Sequence, residues 1–384
     1  MYDMRKALIV VNLAGFLTFL WNDIRLLQDL GYEVSIAMNG KMAEGSDAVE
    51  ICRLDRMHIT HYQIDFDTKN PFTKKNIVAY KQLKQVLLQG FEFVHCHTPI
   101  AGLLTRMAAR KYRYTGTKVI YTTHGFAFYD KSSTKTWIVY YPVEKIASTL
   151  TDAIITINHE DYANAKKMHC KNVFLISSVG LDTKKIVETV VDRDSYRNLI
   201  GVKADDIMLL AVGELSPRKN HQVIIRALGQ MKNKGKYVFV ICGREVANSG
   251  MADFLQKLAK ENGIRLVLAG HRLDIPQINH CADIAVIPSI REGLGMAGLE
   301  ALASGVPVVG SDVQGIREYV EIGKTGYLCD PESTQSFADA IEKMVAMGQT
   351  EKEIMKNECV KMAYRFDQSV SCAQMKSIYQ KICK

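Results

Sequence analysis

The chain has 384 residues, of which 47% are hydrophobic and 23% charged, and its mean hydropathy is −0.05. This length suits two domains rather than one, and the composition excludes a fibrous, low-complexity or disordered protein. The formal net charge of +8 indicates an anionic partner, such as nucleotide phosphates, nucleic acid or an acidic membrane surface.

The first element is an apolar stretch at residues 7–21. It is similar to the core of a signal peptide, but it is too short to span a bilayer, and Asn12 and Gly15 interrupt it where a strand would turn into a helix. No cleavage-site pattern follows, because Asn22, Asp23 and Arg25 continue a helical pattern. We therefore expect no signal peptide, and no other run approaches the length of a membrane span.

Short apolar runs rich in valine and isoleucine recur along the chain, with helical segments between them. In the first half they lie at residues 6–11, 33–37, 92–96, 118–123, 152–157 and 172–176. In the second half they lie at 207–212, 236–242, 264–269, 283–288 and 306–310. Continuous apolar strands separated by helices indicate parallel sheets covered on both faces. The pattern predicts an α/β fold with two doubly wound, Rossmann-like domains.

The pattern breaks at residues 177–191, which predicts a domain boundary. We predict an N-terminal domain over residues 1–180 and a C-terminal domain over residues 181–365. The remaining segment, 366–384, predicts a helix that crosses back to pack on the first domain. Two such domains would leave a cleft between the carboxyl ends of their strands, where ligands of α/β folds bind.

The nine cysteines are scattered and form no CxxC pair. This spacing argues against a disulfide framework or a zinc site, and it fits a reducing cytoplasm.

Residues 69–118 are strongly basic, with ten lysines and arginines against one acid, Glu92. The basic residues are Lys69, Lys74, Lys75, Lys81, Lys84, Arg106, Arg110, Lys111, Arg113 and Lys118. Charge runs usually cover solvated helices, but this excess also suits an anionic surface.

The most informative segment is PSIREGLGMAGLEALASGVPVV, at residues 288–309. Glu292 opens a glycine-rich turn, Gly293-Leu294-Gly295, and the helix that follows carries Glu300. The amides of the turn and the positive end of the helix dipole suit a diphosphate, and Glu300 would be within reach of a ribose. A capped helix after a strand is the simpler interpretation, but it does not explain why Glu292 and Glu300 both lie at this turn.

Two further loops follow strands. Arg218 and Lys219, in the segment GELSPRKN at 213–220, could neutralise a leaving diphosphate as a metal would, although such a pair at a helix start is commonplace. No DxD-type metal motif stands on a strand-end loop. His124 follows the strand at 118–123 and would face the cleft, with His95 and His97 as weaker candidates.

Taken together, these motifs resemble family 4 of the retaining glycosyltransferases, which have the GT-B fold of two facing Rossmann-like domains. The resemblance covers nearly the whole chain. It rests on EGLGMAGLE, GELSPRKN, the run AGHRLDIPQINHCADIAVIPS at residues 269–289 and GSDVQGIREYV at 310–320. In the first half, VHCHTP and VIYTTHGFAFY are similar to the subgroup that builds bacterial capsule, exopolysaccharide and lipopolysaccharide.

The resemblance implies a metal-independent hexosyltransferase without a cofactor, which uses a nucleotide diphosphate sugar, commonly a UDP-sugar. Its acceptor would be a lipid-linked saccharide, reached from the cytoplasm at the anionic inner face of the membrane, and no nucleic-acid motif appears. The implied catalytic residues are His124, Glu292, Arg218 and Lys219. The implied donor-binding residues are Gly15, Gly213, Arg218, Lys219, His271, Arg272, Glu292, Gly293, Leu294, Gly295, Met296, Ala297 and Glu300.

Other functions remain open on these residues. A sugar-nucleotide 2-epimerase shares the fold and would be favoured by acid–base residues in the first domain, where the sequence offers mainly His124. A phosphorylase would need a pyridoxal-phosphate lysine site, which is not evident. A non-catalytic nucleotide-sugar-binding module would retain the fold, but the presence of all the motif residues argues against it.

Overall fold

The structure is a computed structural model that describes residues 5–41, 46–68, 70–247 and 249–382. The chain divides into two compact units. Unit 1 comprises Met1–Gly180 with Ser369–Lys384, and unit 2 comprises Leu181–Gln368. Each unit is built around one parallel sheet, as the predicted pair of Rossmann-like domains requires.

Unit 1 contains a seven-stranded sheet in the order β3-β2-β1-β4-β5-β6-β7. Neighbouring strands pair in parallel. Every residue of the central strand β4 is buried, because helices cover both faces of the sheet. The strands are β1 (Arg5–Leu13), β2 (Tyr32–Asn39), β3 (His61–Gln63), β4 (Phe93–His97), β5 (Lys118–Thr122), β6 (Ala153–Thr156) and β7 (Val173–Leu175).

The helices of unit 1 lie between these strands. They are α1 (Trp21–Asp29), α2 (Ser46–Arg56), α3 (Lys74–Leu87), α4 (Pro99–Ala109), α5 (Thr134–Ala147) and α6 (His159–Ala165). Helix α3 begins where the Thr73 hydroxyl accepts a hydrogen bond from the Asn76 amide, a standard N-cap. A 3-10 segment, Ala14–Phe19, connects β1 to α1.

Unit 2 contains a six-stranded sheet in the order β10-β9-β8-β11-β12-β13, again with parallel pairs. The strands are β8 (Ile207–Val212), β9 (Tyr237–Cys242), β10 (Arg265–Gly270), β11 (Ile284–Ile287), β12 (Val308–Ser311) and β13 (Gly326–Cys329). The helices are α7 (Thr183–Val187), α8 (Arg193–Leu199), α9 (His221–Gln230), α10 (Met251–Asn262), α11 (Ile275–Cys281), α12 (Met296–Ala303), α13 (Thr334–Ala346) and α14 (Gln349–Tyr364).

The last helix, α15 (Gln368–Ile382), returns to unit 1. Its Met375, Ile378 and Tyr379 are buried, and the Tyr379 ring packs edge-on against Phe93 of β4 at 5.3 Å. The Gln374 side-chain oxygen accepts a hydrogen bond from the Ser177 amide at 2.9 Å. The final helix is thus part of the core of unit 1.

The sequence-based prediction of the strands is correct for eleven of them and missed β3 and β13. Both missed strands end a sheet, and they are only three and four residues long. Strand β3 reads HYQ and has no apolar run, and the apolar run of β13, which reads GYLC, is three residues long. Short edge strands need less burial, and so they carry a weaker pattern.

Within the described ranges, no helix is both long and apolar enough to cross a membrane. Among the described residues, Cys52, Cys96, Cys170, Cys242, Cys281, Cys329 and Cys359 form no disulfide; Cys383 lies outside the described residues.

Candidate functional site

Two loops of unit 2 emerge at the same edge of its sheet. Strands β8 and β11 are parallel neighbours, so the loops that follow them, 213–220 and 288–295, leave from adjacent carboxyl ends. A hydrogen bond of 2.9 Å from the Ile290 amide to the Arg218 carbonyl joins the two loops. The fold therefore brings the Arg218–Lys219 pair together with Glu292, the predicted catalytic and donor-binding glutamate of the other loop.

The contact between these loops is an ion-pair cluster centred on Glu292. Lys219 Nζ lies 2.8 Å from Glu292 Oε2, and Arg218 Nη1 lies 3.4 Å from the same oxygen. Arg218 also pairs with Glu214 at 3.2 Å and donates to the Arg291 carbonyl. Lys219 and Glu292 are largely buried, whereas Arg218 is partly exposed.

The charge state of Glu292 follows from this cluster. Burial alone would raise its pKa, but Lys219 and then Arg218 outweigh the burial, and the pKa lies below its ordinary value. Glu292 is therefore an anion that compensates the two cations. A ligand that carries phosphates can replace it as their partner.

The turn after β11 needs glycine. Gly295 has φ +82°, and a Cβ there would lie 2.9 Å from both Glu292 Cγ and the Tyr319 hydroxyl oxygen. Gly293, Leu294 and Gly295 form the turn, and Met296 and Ala297 begin α12, which has no side-chain cap. The positive end of the α12 dipole therefore lies beside Glu292.

Tyr319 is a site residue that the sequence-based reasoning missed. Its hydroxyl donates to the Gly295 carbonyl at 3.3 Å, and a Cβ added to Gly298 would lie 2.3 Å from the same hydroxyl oxygen and 2.7 Å from the ring. Tyr319 is fully buried and holds the turn in place. The only signal for it was its place in the motif at 310–320.

Glu300 lies on α12, and no hydrogen bond from a described residue reaches its carboxylate. Burial raises its pKa from 4.5 to about 7. A partly exposed carboxylate with a raised pKa and no partner is suited to accept hydrogen bonds from a ligand's hydroxyl groups.

Glycines also shape the loop after β8. Gly213 has φ +153°, and a Cβ added to it would lie 3.0 Å from the Lys219 Cε. Gly243, after β9, packs so closely that its Cβ would lie 1.8 Å from the Gly213 carbonyl oxygen. The two glycines let the ends of β8 and β9 touch and leave room for Lys219.

The loop that carries the predicted donor-binding residues His271 and Arg272 follows β10. His271 is exposed there, and Arg272 pairs with Asp274 in the same loop at 2.5 Å. The Gly270 carbonyl accepts a hydrogen bond from the Gly243 amide at 2.8 Å, which joins this loop to the one after β9.

The remaining predicted site residues, Gly15 and His124, lie in unit 1. The Gly15 amide donates a hydrogen bond to the Asp47 carboxylate, so it is already engaged. His124 follows β5 and packs edge-on against Phe16 at 4.7 Å between ring centroids.

His124 belongs to a cluster of three histidines. Its Nε2 lies 3.2 Å from Nδ1 of His97, and His97 stacks on His95 with ring centroids 4.1 Å apart. Both nitrogens of His95 are engaged, Nδ1 with the Tyr379 hydroxyl at 2.9 Å and Nε2 with the Thr122 hydroxyl at 2.7 Å. Burial lowers the pKa of His95 to about 3 and that of His124 to about 4, so both are neutral near pH 7.

Asp23 on α1 was not predicted as a site residue, yet it lies against this cluster. It lines a cavity of about 20 Å³ together with His97 and His124. Burial raises the pKa of Asp23 to about 7, and no described residue donates a hydrogen bond to its carboxylate. Asp23 and His97 are 74 residues apart in the sequence, and no motif links them, so the sequence did not indicate this contact.

The cluster is a poor metal site on its donor set. One ligand atom each from Asp23, His95 and His97 lies within 4.8 Å of the others. Two hydroxyl groups already hydrogen-bond to both nitrogens of His95. Only Asp23 and His97 of this group then remain as metal ligands, which is fewer than a zinc site requires.

Both units are similar to parts of known proteins. Residues 15–177 match the model described as Glycosyltransferase Family 4, and residues 192–360 match Glycosyl transferases group 1. EpsD of Bacillus subtilis (strain 168), to which a glycosyltransferase activity is ascribed, is 33% identical over 358 residues, covering 92% of this chain and 90% of its own. An Escherichia coli UDP-Gal:alpha-D-GlcNAc-diphosphoundecaprenol alpha-1,3-galactosyltransferase is 30% identical over 278 residues, covering 71% and 70%.

A solved structure has the same fold. HepE of Anabaena in complex with UDP and glucose superposes with a TM-score of 0.79 over 99% of this chain and 100% of its own, at 19% identity. The same protein has been solved with UDP-glucose.

Proposed function

Because the chain belongs to family 4 of the glycosyltransferases, we propose that it moves a hexose or N-acetylhexosamine from a UDP-sugar to a lipid-linked saccharide, with retention at the anomeric carbon. Glycosyl transfer in surface polysaccharide synthesis follows from the family and the relatives. The donor, the acceptor and the stereochemistry are the proposed parts.

The observation that carries the proposal is the cluster of Arg218, Lys219 and Glu292 at the start of α12. When the bond between the sugar and the diphosphate breaks, negative charge grows on the leaving phosphate and positive charge on the sugar. Arg218, Lys219 and the N-terminus of α12 stabilise the negative charge on the phosphate, as preorganised donors do. Glu292, displaced from the cations, is free to hold the hydroxyl groups of the sugar.

The proposed transfer needs no separate protein base. The acceptor oxygen attacks the anomeric carbon from the side that the diphosphate leaves, and its proton passes to the leaving phosphate oxygen. The chain would then supply binding, charge stabilisation and exclusion of water. Because two cations already face the diphosphate position, we propose that no divalent metal is required.

Two relatives support the proposed substrates. HepE binds UDP and UDP-glucose, and Glu300 offers the unpaired carboxylate that a ribose would need. The E. coli relative transfers galactose to a diphosphoundecaprenol-linked sugar, a lipid-linked acceptor.

A lipid-linked acceptor requires access to a membrane, and α3 offers a surface for it. Lys74, Lys81 and Lys84 are exposed on the same helix as Ile77 and Val78, which are 59% and 45% exposed. Helices that expose lysine beside apolar residues bind anionic bilayers at the interface. Helix α5 adds exposed Ile138 and Ile146, and we propose that both helices face the bilayer.

The basic segment is smaller than the sequence indicated. Arg106 is fully buried and pairs with Glu144 at 2.8 Å, and Arg113 pairs with Asp152 at 2.9 Å. Neither contributes free charge to the surface, and Lys69 lies outside the described residues.

One experiment tests the proposal directly. The purified protein is incubated with a panel of nucleotide sugars and a diphosphoundecaprenol-linked monosaccharide, with and without EDTA, and the product's anomeric configuration is read by NMR. We expect a UDP-sugar to be consumed, the α-configuration to be kept, and EDTA to have no effect. An inverted product, or activity that EDTA abolishes and Mn²⁺ restores, would contradict it.

The same reactions test the epimerase alternative, which the acid–base cluster of Asp23, His97 and His124 favours. An epimerase would convert the donor at carbon 2 without an acceptor. A transferase leaves the donor's configuration intact until the acceptor is added.

A further inference from the structure

The Asp23 carboxylate, the His97 ring and the His124 ring lie next to one another in unit 1. His97 Nδ1 and His124 Nε2 share one hydrogen bond of 3.2 Å, so one ring must donate and the other accept. This leaves Nδ1 of His124 as the nitrogen available to a ligand. The direction of the shared bond therefore decides whether His124 offers a donor or an acceptor.

Asp23 and His97 line the same cavity. His97 is 1% exposed, and its Nε2 has no hydrogen-bond partner among the described residues, which is rare for a buried nitrogen. A ring nitrogen of His97 lies within 4.8 Å of an Asp23 carboxylate oxygen, and Nδ1 is already used by His124. The cavity that both residues line has a volume of about 20 Å³, enough for one bridging water.

We propose that Asp23 and His97 are positioning residues that set which nitrogen of His124 carries the proton. When Asp23 is ionised, it accepts from His97 Nε2–H, directly or through water. His97 Nδ1 then accepts from His124 Nε2–H, and His124 Nδ1 is a bare acceptor. When Asp23 is protonated, each bond reverses and His124 Nδ1 becomes a donor.

Asp23 is the group in this cavity that titrates near neutral pH. The titratable residues around it are His95, His97, His124, Tyr379 and Cys372. Burial lowers the pKa of His95 to about 3 and of His124 to about 4, and burial together with its histidine neighbours lowers the pKa of His97 well below its ordinary value. The three imidazoles therefore stay neutral from pH 5.5 to 8.5, while the raised pKa of Asp23, about 7, lies inside that window.

The tautomer of His124 tests this proposal without reference to activity. Full-length protein labelled with ¹⁵N-histidine is followed by long-range ¹H–¹⁵N NMR from pH 5.5 to 8.5, with His124→Gln to assign the signal. We expect Nδ1 of His124 to change from protonated to bare through pH 7 in the wild type. In Asp23→Asn, which cannot titrate, it should stay constant. The matched control is Asp29→Asn, an exposed residue on the same helix, which should behave as the wild type.

The kinetic readout rests on the proposed function, in which His124 contacts a substrate saccharide. At saturating donor, kcat/KM for the acceptor should fall about 2- to 10-fold from pH 8 to pH 6 in the wild type, the loss of one hydrogen bond, and the fall should be absent in Asp23→Asn. A His124 signal that ignores pH in the wild type, or that still shifts in Asp23→Asn, overturns the relay. A shifting signal with a flat kinetic profile leaves the relay standing and removes His124 from the proposed catalytic machinery.

Discussion

At the scale of single residues, Lys219 and Arg218 both pair with a carboxylate of the chain itself, that of Glu292. Lys219 is largely buried and would be costly to leave without a partner, and Glu292 supplies that partner. The sequence placed these three residues on strand-end loops, but their contact spans 73 residues and was visible only in the structure.

The first prediction concerns this cluster. Lys219→Ala should lower kcat about 10²–10³-fold, because one preorganised cation at the developing phosphate charge is lost. Steady-state kinetics with saturating donor measures it. Lys232→Ala, an exposed lysine of the same unit, is the matched control and should be unchanged. A Lys219→Ala enzyme within threefold of the wild type would remove Lys219 from the mechanism.

The second prediction concerns Glu300 and stability. Its pKa is 4.5 in the unfolded chain and about 7 in the folded protein, because burial disfavours the charge. The cost to the folded state therefore grows from pH 4.5 to pH 7 and is constant above. Glu300→Gln removes this cost, so the gain in Tm should be near zero at pH 4.5 and full at pH 8.

Differential scanning fluorimetry at a series of pH values measures the gain, with Glu261→Gln on α10 as an exposed control. The same Glu300→Gln variant should bind UDP more weakly, because the neutral amide accepts hydrogen bonds from a ribose less strongly than a carboxylate does. A pH-independent gain in Tm would show that Glu300 is not desolvated.

At the scale of elements, close backbone contacts fix where the loops go. The third prediction is that Gly243→Ala destabilises unit 2 by about 1–3 kcal/mol, the usual cost of overpacking, because the new Cβ would lie 1.8 Å from the Gly213 carbonyl. Urea unfolding measures it. Gly235→Ala is the control, since its Cβ meets nothing within 4 Å. Equal stability of the two variants would contradict the close packing.

The fourth prediction concerns α3 as a membrane surface. Lys74→Glu, Lys75→Glu and Lys84→Glu together should abolish binding to anionic liposomes at low salt, since each lysine near such a surface contributes about 1 kcal/mol. Liposome co-sedimentation measures binding. A triple variant with the same change of charge in unit 2, at Lys232, Lys236 and Lys257, should still bind. Equal loss in both would mean that net charge, rather than α3, attracts the protein.

At the scale of the whole molecule, the chain leaves unit 1 at Gly180 and returns to it at Ser369. The returning helix α15 brings Tyr379, which is fully buried and contacts His95 at 2.9 Å. Unit 1 is therefore incomplete until the last residues of the chain have been made.

The fifth prediction follows from this return. Deleting residues 369–384 should unfold unit 1 at a lower temperature, because it exposes the apolar surface that Met375, Ile378 and Tyr379 cover. Unit 2 loses none of its own residues and should still bind UDP. Calorimetry shows the first effect and titration with UDP the second. A deletion variant with unchanged unfolding would show that α15 adds no stability to unit 1.

The sequence by itself determined the local features of this protein. Apolar runs of strand length, the glycine turn before α12 and the position of α15 were all readable, because periodicity and turn chemistry act over a few residues. The fold class and eleven strands followed from them.

Only the tertiary structure decided which distant groups meet. The burial of Arg106 within a basic run, and the approach of Asp23 to His97 over 74 residues, depend on the order of the strands and on how helices cross them. The charge of a residue is local, but its pKa and its partner are set by the packing around it. The sequence therefore predicted Arg218, Lys219, the two glutamates and the histidines one by one, and the fold determined which of them lie together.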